Sequence, residues 1–433
     1  MKFNKICILG LGYIGLPTAS MFASNGIQVL GVDINPSVVE TLQAGRVHIH
    51  EPGLNEIVEV ALKNGALTVA TSPTEADAFI IAVPTPFQEG KFGEYNGESY
   101  KLADMRAVAS AAEALVPYLR AGNLVVLEST SPPRTTVDLV APILERSGLK
   151  AGRDFYLAYS PERVLPGQIL RELVENARVV GGITPESAQA AHALYAHFSK
   201  GEFFETDATT AEMVKLMENT YRDINIAIAM EFSRLAERFG VDVWEAISLA
   251  NRHPRVKILN PGPGVGGHCI SVDPWFFVEG APDLSLLIAR ARRVNDLQPE
   301  FVVETVKKAI GALAGKKIAA LGLAYKPDVD DMRESPAVEV IHLLTKAGAT
   351  VSAFEPFKPA AALPGVDTVS TLEQAVKDAD VLLLLVNHSQ FGQLSPETLK
   401  PLTAARVLLD TVNGWHGKDW AAHGFTLRRL GVG

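Results

Sequence analysis

Apolar runs of strand length alternate with helical spacing from the start of the chain. Residues 5–9 form a short apolar strand. Gly10-Leu11-Gly12-Tyr13-Ile14-Gly15 follows, and a helical pattern then runs over 16–25. Gly26 stops that helix, and 27–32 reads as a second strand ending at Asp33. Further apolar strands lie at 78–83, 124–127, 155–159 and 177–180, with helical patterns between them. Strands alternating with helices predict a parallel, doubly wound sheet.

From Ala208 to Phe239 there is no Gly or Pro, and Gly240 ends the run. This predicts one helix about 48 Å long at 1.5 Å per residue, a length that usually spans between domains or subunits. Residues 241–293 read as mainly helical, broken by a Pro/Gly turn around Cys269. A second α/β pattern begins at Lys316, with strands at 317–323, 350–354, 381–386 and 407–409 and a helix over 336–347. The halves share a plan. The expected fold class is α/β, with two Rossmann-like doubly wound domains joined by a long central helix and a helical region.

Composition narrows the setting. A chain of 433 residues is too long for one core, and 47% hydrophobic with 21% charged residues is globular usage. The net charge of −9 argues against nucleic acid and anionic membrane as partners, so an anionic substrate needs local basic residues. Two cysteines cannot build a disulfide framework, which suits a reducing compartment and a cytoplasmic protein. The apolar stretch over 6–16 holds three glycines and leads into a helix, so it reads as strand and turn rather than signal peptide or membrane span.

Gly10, Gly12 and Gly15 fit a dinucleotide turn: one permits the turn, one lets a pyrophosphate approach, one lets helix pack on strand. Asp33 is placed to accept the ribose hydroxyls and to repel a 2′-phosphate, favouring NAD over NADP. The turns Val83-Pro84-Thr85-Pro86 and Glu128-Ser129-Thr130 follow strand ends, where ligands bind in such sheets, although each fits a structural turn equally well. Cys7, between Ile6 and Ile8, reads as a small buried hydrophobe. Cys269 differs: it sits in Pro261-Gly262-Pro263-Gly264-Val265-Gly266-Gly267-His268-Cys269, with Asp273 four residues on. Glycines there allow close approach to the thiol, which suits a nucleophile. Lys215, Asn219 and Asp223 recur every four residues and share one face of the long helix among apolar neighbours. There Lys215 suits a developing oxyanion and Asn219 an ordered water. Lys326 and Arg333, at a strand-to-helix turn, suit phosphate groups or a plain surface loop.

These motifs together resemble the UDP-glucose/GDP-mannose dehydrogenase family over essentially the whole chain. The resemblance is carried by the stretches at 10–17, 160–167, 211–219, 250–255 and 261–275, in that order. It implies an NAD-binding region, placed at 1–205; a helical dimerisation region with the cysteine loop, at 206–305; and a UDP-sugar-binding region, at 306–433. It also implies a homodimer and a four-electron oxidation of a sugar C6 alcohol to a carboxylate with two NAD, with no metal.

By the same resemblance Cys269 is the nucleophile, forming first a thiohemiacetal and then a thioester. Lys215 stabilises oxyanions, and Asn219 and Asp273 hold a water or assist proton transfer. Glu162 matches the base of thioester hydrolysis, and Thr130 holds the same water. Tyr13, Ile14, Thr85, Thr130 and Arg333 join the glycines and Asp33 at the cofactor. Arg163, Val164, Leu165, Gly266, Lys326, Lys215 and Asn219 join the substrate site, with Arg255 reaching across the dimer. UDP-glucose dehydrogenases carry a second glutamate four residues beyond Glu162; here Pro166 stands there. That form resembles the N-acetylhexosamine branch and implies UDP-N-acetyl-D-mannosamine as substrate. UDP-N-acetylglucosamine and UDP-glucose remain alternatives, as does a two-electron hydroxyacid-type dehydrogenase, which needs no nucleophilic thiol.

Overall fold

The computed structural model describes residues 2–267 and 269–433. An eight-stranded sheet is built from Lys5–Leu9 (β1), Gln28–Val32 (β2), Leu67–Ala70 (β3), Ala78–Ile81 (β4), Leu124–Leu127 (β5), Tyr156–Tyr159 (β6), Arg178–Gly182 (β7) and Phe203–Asp207 (β8). Their order is β8-β7-β6-β5-β4-β1-β2-β3, parallel throughout except where β6 meets β7. The order reverses between β1 and β4, which opens a crevice at their carboxyl ends. Successive side chains of β1 feed opposite cores. Ile6 and Ile8 pack on one face, Cys7 and Leu9 on the other. Burial pushes the Cys7 thiol up to about 12, so it packs as an inert hydrophobe.

A second, six-stranded sheet is wholly parallel. It comprises Lys317–Leu321 (β9), Thr350–Phe354 (β10), Asp367–Thr368 (β11), Val381–Leu384 (β12), Val407–Asp410 (β13) and Thr426–Arg429 (β14), in the order β11-β10-β9-β12-β13-β14. The predicted strands are present in both sheets. The weakly apolar β3, β8, β11 and β14, and an antiparallel hairpin of Phe87–Tyr95 with Glu98–Ala103, were not legible in the pattern.

The two sheets begin with the same turn. Gly10 N–H donates to the Val32 carbonyl at 2.8 Å and has φ +93°; Gly322 N–H donates to the Phe354 carbonyl at 2.9 Å and has φ +92°. A carboxylate ending the second strand then captures the next amide: Asp33 accepts from Leu11 N–H at 3.0 Å, and Glu355 from Leu323 N–H at 2.8 Å.

The long helix spans Ala208–Phe239, as the absence of Gly and Pro predicts. The chain divides into two compact units, 1–218 with 275–284, and 219–274 with 285–433, and this helix contributes to both. In the second unit it is anchored by Asp223, fully buried, paired with the buried Arg292 and accepting from Asn295 Nδ2 at 2.8 Å. The expectation of a mainly helical 241–293 is corrected. Helices cover Val243–Ala250, Asp273–Gly280 and Leu286–Asp296, but 251–272 is irregular. Six prolines and glycines from 261 to 267, together with Pro254, deny that stretch continuous helical hydrogen bonding.

The first turn separates two kinds of glycine. A Cβ on Gly15 would lie 1.9 Å from the Gly10 carbonyl oxygen, whereas one on Gly12 would meet nothing within 4 Å. Gly15→Ala is therefore expected to lower the Tm of the first unit by about 5 °C or more, and Gly12→Ala to leave it nearly unchanged. Thermal melts of the two variants check this; equal melting temperatures would contradict it.

Candidate active site

At the first crevice the backbone leaves room for a ligand. Gly12 is exposed, and the helix Gly15–Ser24 starts three residues on, so its first N–H groups face the turn. Asp33, half-buried, uses Oδ2 for Leu11 N–H and Oδ1 for Asn35 N–H at 2.9 Å, keeping lone pairs for hydroxyl donors. Tyr13 packs partly on the core below, and Ile14 precedes the helix. Across the crevice the Thr85 hydroxyl donates to the Thr130 carbonyl at 2.7 Å, tying the turn after β4 to the turn after β5. Ser129 Oγ donates to the Val83 carbonyl at 2.8 Å and reinforces that tie. An uncrowded glycine, a helix N-terminus and a carboxylate at the end of β2 fit the pyrophosphate and ribose of NAD.

The loop after β6 is held at several points. Glu162 Oε2 accepts from Arg178 at 2.9 Å, and its Oε1 from Arg163 N–H at 2.7 Å. Arg163 pairs with Glu218 at 2.8 Å. Val164 packs against the core, while Leu165 is exposed with its N–H on Glu172 Oε2 at 2.7 Å. The buried Glu51 accepts from Gly167 N–H and Ile169 N–H, each at 2.8 Å. Lys215, on the long helix, donates from Nζ to the Glu162 carbonyl at 3.0 Å. Sequence reasoning overlooked what lies beneath this loop. The Glu128 side chain is fully buried, accepts from the Tyr195 hydroxyl at 2.7 Å, and stands 3.9 Å from Arg178. Burial, then the charge of Glu162, pushes Glu128 up to about 7, against the opposing pull of Arg178 and Tyr195. A charged Arg178 opening the otherwise apolar β7 was the available signal for this cluster.

In the second unit the cysteine loop meets the loop after β9. A Cβ on Gly266 would lie 2.3 Å from the Glu334 carbonyl oxygen, one on Gly264 2.7 Å from Pro336, and one on Gly267 2.9 Å from Tyr325. The glycines therefore admit a neighbouring loop rather than leaving the thiol in open space. That neighbour carries Lys326, whose ammonium is 5.7 Å from the Tyr325 ring centroid, and Arg333, which forms a two-pronged pair with Asp331 at 2.7 and 2.9 Å. Cys269 is exposed; its carbonyl accepts from Val272 and Asp273 N–H at 3.0 and 2.9 Å, so the thiol leads into the helix Asp273–Gly280. His268 of the motif lies outside the described residues.

Asn219 Nδ2 donates to Asp273 Oδ2, and both side chains are about 1% exposed. Arg222 also reaches Asn219, on Oδ1. Lys215, Asn219 and Asp223 are all buried, as one inward face predicts; Asp223, through Arg292 and Asn295, serves as an anchor. Arg255 is exposed in the irregular segment, its N–H on His253 Nδ1 at 3.3 Å. His388, overlooked in the sequence, accepts from Asp328 N–H on Nδ1 at 2.9 Å, so its other nitrogen donates to Glu355 at 3.0 Å and pins the Lys326 loop to the sheet.

Three family descriptions cover the chain in order. The NAD binding domain of the UDP-glucose/GDP-mannose dehydrogenase family matches residues 4–199, its central domain 209–297 and its UDP binding domain 319–417. A UDP-N-acetyl-D-mannosamine dehydrogenase of Methanococcus aeolicus is 44% identical over 100% of this chain and 96% of its own length. An NDP-N-acetyl-D-galactosaminuronic acid dehydrogenase of Ralstonia solanacearum is 46% identical over 98% of this chain and 99% of its own. The solved structure of a UDP-D-ManNAc dehydrogenase from Pyrococcus horikoshii superposes with a TM-score of 0.89 at 40% identity, covering 99% of each chain. A nucleotide turn, an exposed thiol beside a lysine-bearing loop, and three consecutive matched domains lead to one conclusion: the chain belongs to the UDP-glucose/GDP-mannose dehydrogenase family, and is an NAD-dependent UDP-sugar dehydrogenase.

Proposed function

We propose that this enzyme oxidises the C6 alcohol of UDP-N-acetyl-D-mannosamine to the carboxylate, with Cys269 as the covalent carrier. The observation that carries the sugar assignment is full-length identity of 44–48% to relatives of that name from archaea and bacteria. The Pro161-Glu162-Arg163-Val164-Leu165-Pro166-Gly167 loop supports it, since Pro166 replaces the glutamate of UDP-glucose enzymes. NAD, when bound, is the hydride acceptor for both oxidations.

The chain's own residues hold the carbon between them. The Cys269 Sγ adds to the C6 aldehyde as a thiohemiacetal, and the second oxidation leaves a thioester. Lys215, whose Nζ donates to the Glu162 carbonyl, stabilises the oxyanions. Asn219 and Asp273, already hydrogen-bonded to each other, orient a water with Thr130. Glu162 takes the proton of the attacking water, the C–S bond breaks, and Cys269 is released as thiolate. Gly10, Gly12, Gly15, Tyr13, Ile14, Asp33, Thr85 and Arg333 serve the cofactor. Arg163, Val164, Leu165, Gly266 and Lys326 serve the UDP-sugar.

We also infer a homodimer and a cytoplasmic setting. Tyr221, Ile228, Phe232, Leu235 and Phe239 are 39–73% exposed and follow one stripe of the long helix, an apolar face that a second copy of this chain would cover. Arg255 is assigned across that dimer to the neighbouring substrate. Two free cysteines and NAD-linked chemistry support a reducing compartment. Among the described residues no helix is long and apolar enough to cross a membrane.

Two outcomes are expected. With limiting UDP-N-acetyl-D-mannosamine and excess NAD, NADH formed per sugar consumed reaches two, and Cys269→Ser lowers the rate by about 10³-fold or more. UDP-N-acetylglucosamine, UDP-glucose and UDP-N-acetylgalactosamine turn over more slowly. A ratio of one, with Cys269→Ser at full activity, would sink the covalent route. In light scattering, Phe232→Glu with Leu235→Glu is expected to convert a dimer to a monomer. An unchanged mass would remove this face from the interface.

A further inference from the structure

Beneath the loop that carries Glu162, three charged side chains are largely buried. Arg178 is 5% exposed, Glu162 7% and Glu128 0%. One guanidinium thus faces two carboxyls. With both ionised, the cluster holds a net negative charge in a buried site, which is costly, so the pair tends to keep one proton. The contacts decide where that proton rests. Glu162 has the close Arg178 contact at 2.9 Å and a backbone N–H at 2.7 Å, both favouring its carboxylate. Glu128 stands 3.9 Å from Arg178 and accepts from Tyr195 through Oε1; among the described residues its buried Oε2 has no hydrogen-bond partner.

We propose that Glu128 is a positioning residue for the hydrolytic step, setting the basicity of Glu162 through the Arg178 that the two share. The proposal rests on Glu162 being the base. Glu128 sits two residues before Thr130, so one strand end supplies both the water-holding hydroxyl and the group that tunes the base. It also supplies the second carboxyl that Pro166 removes from the loop. The titratable groups facing Glu128 are Glu162 on the loop after β6, Arg178 on β7 and Tyr195 on the helix Pro185–Tyr195; Lys215 of the long helix lies beyond, on the Glu162 carbonyl.

The proton count is simple. Burial and the neighbouring charge of Glu162 favour the protonated form of Glu128, and while it holds that proton Arg178 is committed to Glu162. As pH rises, Glu128 loses its proton to solvent, Arg178 is divided between two charges, and Glu162 becomes the stronger base. In hydrolysis Glu162 takes a proton from water, the water oxygen bonds to the thioester carbon, the C–S bond breaks, and the proton then leaves Glu162. No redox change accompanies this step.

The test follows the acyl adduct on Cys269. The full-length enzyme is mixed with NAD and UDP-N-acetyl-D-mannosamine, quenched at intervals, and the adduct decay is read by mass spectrometry from pH 5.5 to 9. In the natural enzyme the decay rate is expected to rise through an inflection near neutrality. Glu128→Gln loses the inflection and stays at the low-pH rate. Tyr195→Phe, which removes the hydrogen bond that favours the ionised form, moves the inflection to higher pH. Should Glu128→Gln fail to fold, Tyr195→Phe carries the test alone. A slower Glu128→Gln that keeps its inflection, or an unmoved inflection in Tyr195→Phe, overturns the proposal and leaves Glu128 a packing residue. Glu162→Gln separates the two layers. Persistence of its adduct supports the base; decay at the natural rate refutes the base, and the role of Glu128 with it.

Discussion

A carboxylate at the end of a second strand reaches back to catch the amide just after a left-handed glycine, and it does so in both sheets. Asp33 holds Leu11 as Glu355 holds Leu323. Each bond closes the turn where strand order reverses, the place where a parallel sheet opens to a ligand. The two turns then diverge. In the first, Gly12 leaves the surface bare, and Asp33 keeps lone pairs outward. In the second, Ala324 takes the corresponding place, its N–H is also drawn to Glu355 at 3.0 Å, and His388 caps the carboxylate from inside the protein. One plan thus yields an open dinucleotide turn and a closed one, whose role passes to the loop that Glu355 and His388 hold in place.

That loop explains the glycines around Cys269. Their spacing is readable as freedom for something to come close, and the structure shows the Glu334 carbonyl, Pro336 and Tyr325 in that space. The thiol is positioned by packing one backbone on another, so its loop and the Lys326–Arg333 loop are fixed together. Such precision costs side chains at Gly264, Gly266 and Gly267, and it makes substitution there a matter of site geometry as much as of local flexibility.

Much of this was legible in the sequence. The strands whose every residue is apolar announced themselves, and the run from Ala208 to Phe239 gave the long helix to the residue, because only Gly and Pro interrupt helices reliably. Lys215, Asn219 and Asp223 pointed inward as their spacing indicated. Edge strands such as Phe203–Asp207 escaped because half-exposed strands mix polar residues into the pattern. The partnerships of Glu128 with Arg178 and of His388 with Glu355 escaped for another reason. Each joins residues 33 or more positions apart, and no local pattern records which distant strand ends meet.

We propose that the first turn takes the pyrophosphate of NAD and that the second sheet contributes the main site of the uridine nucleotide. Gly12→Val tests it most directly, since its side chain would enter space that meets no protein atom within 4 Å at Cβ. Calorimetric titration of this variant is predicted to show NAD binding lost while UDP binds with its natural Kd. Retained NAD affinity, or UDP affinity falling in step with it, would contradict the account.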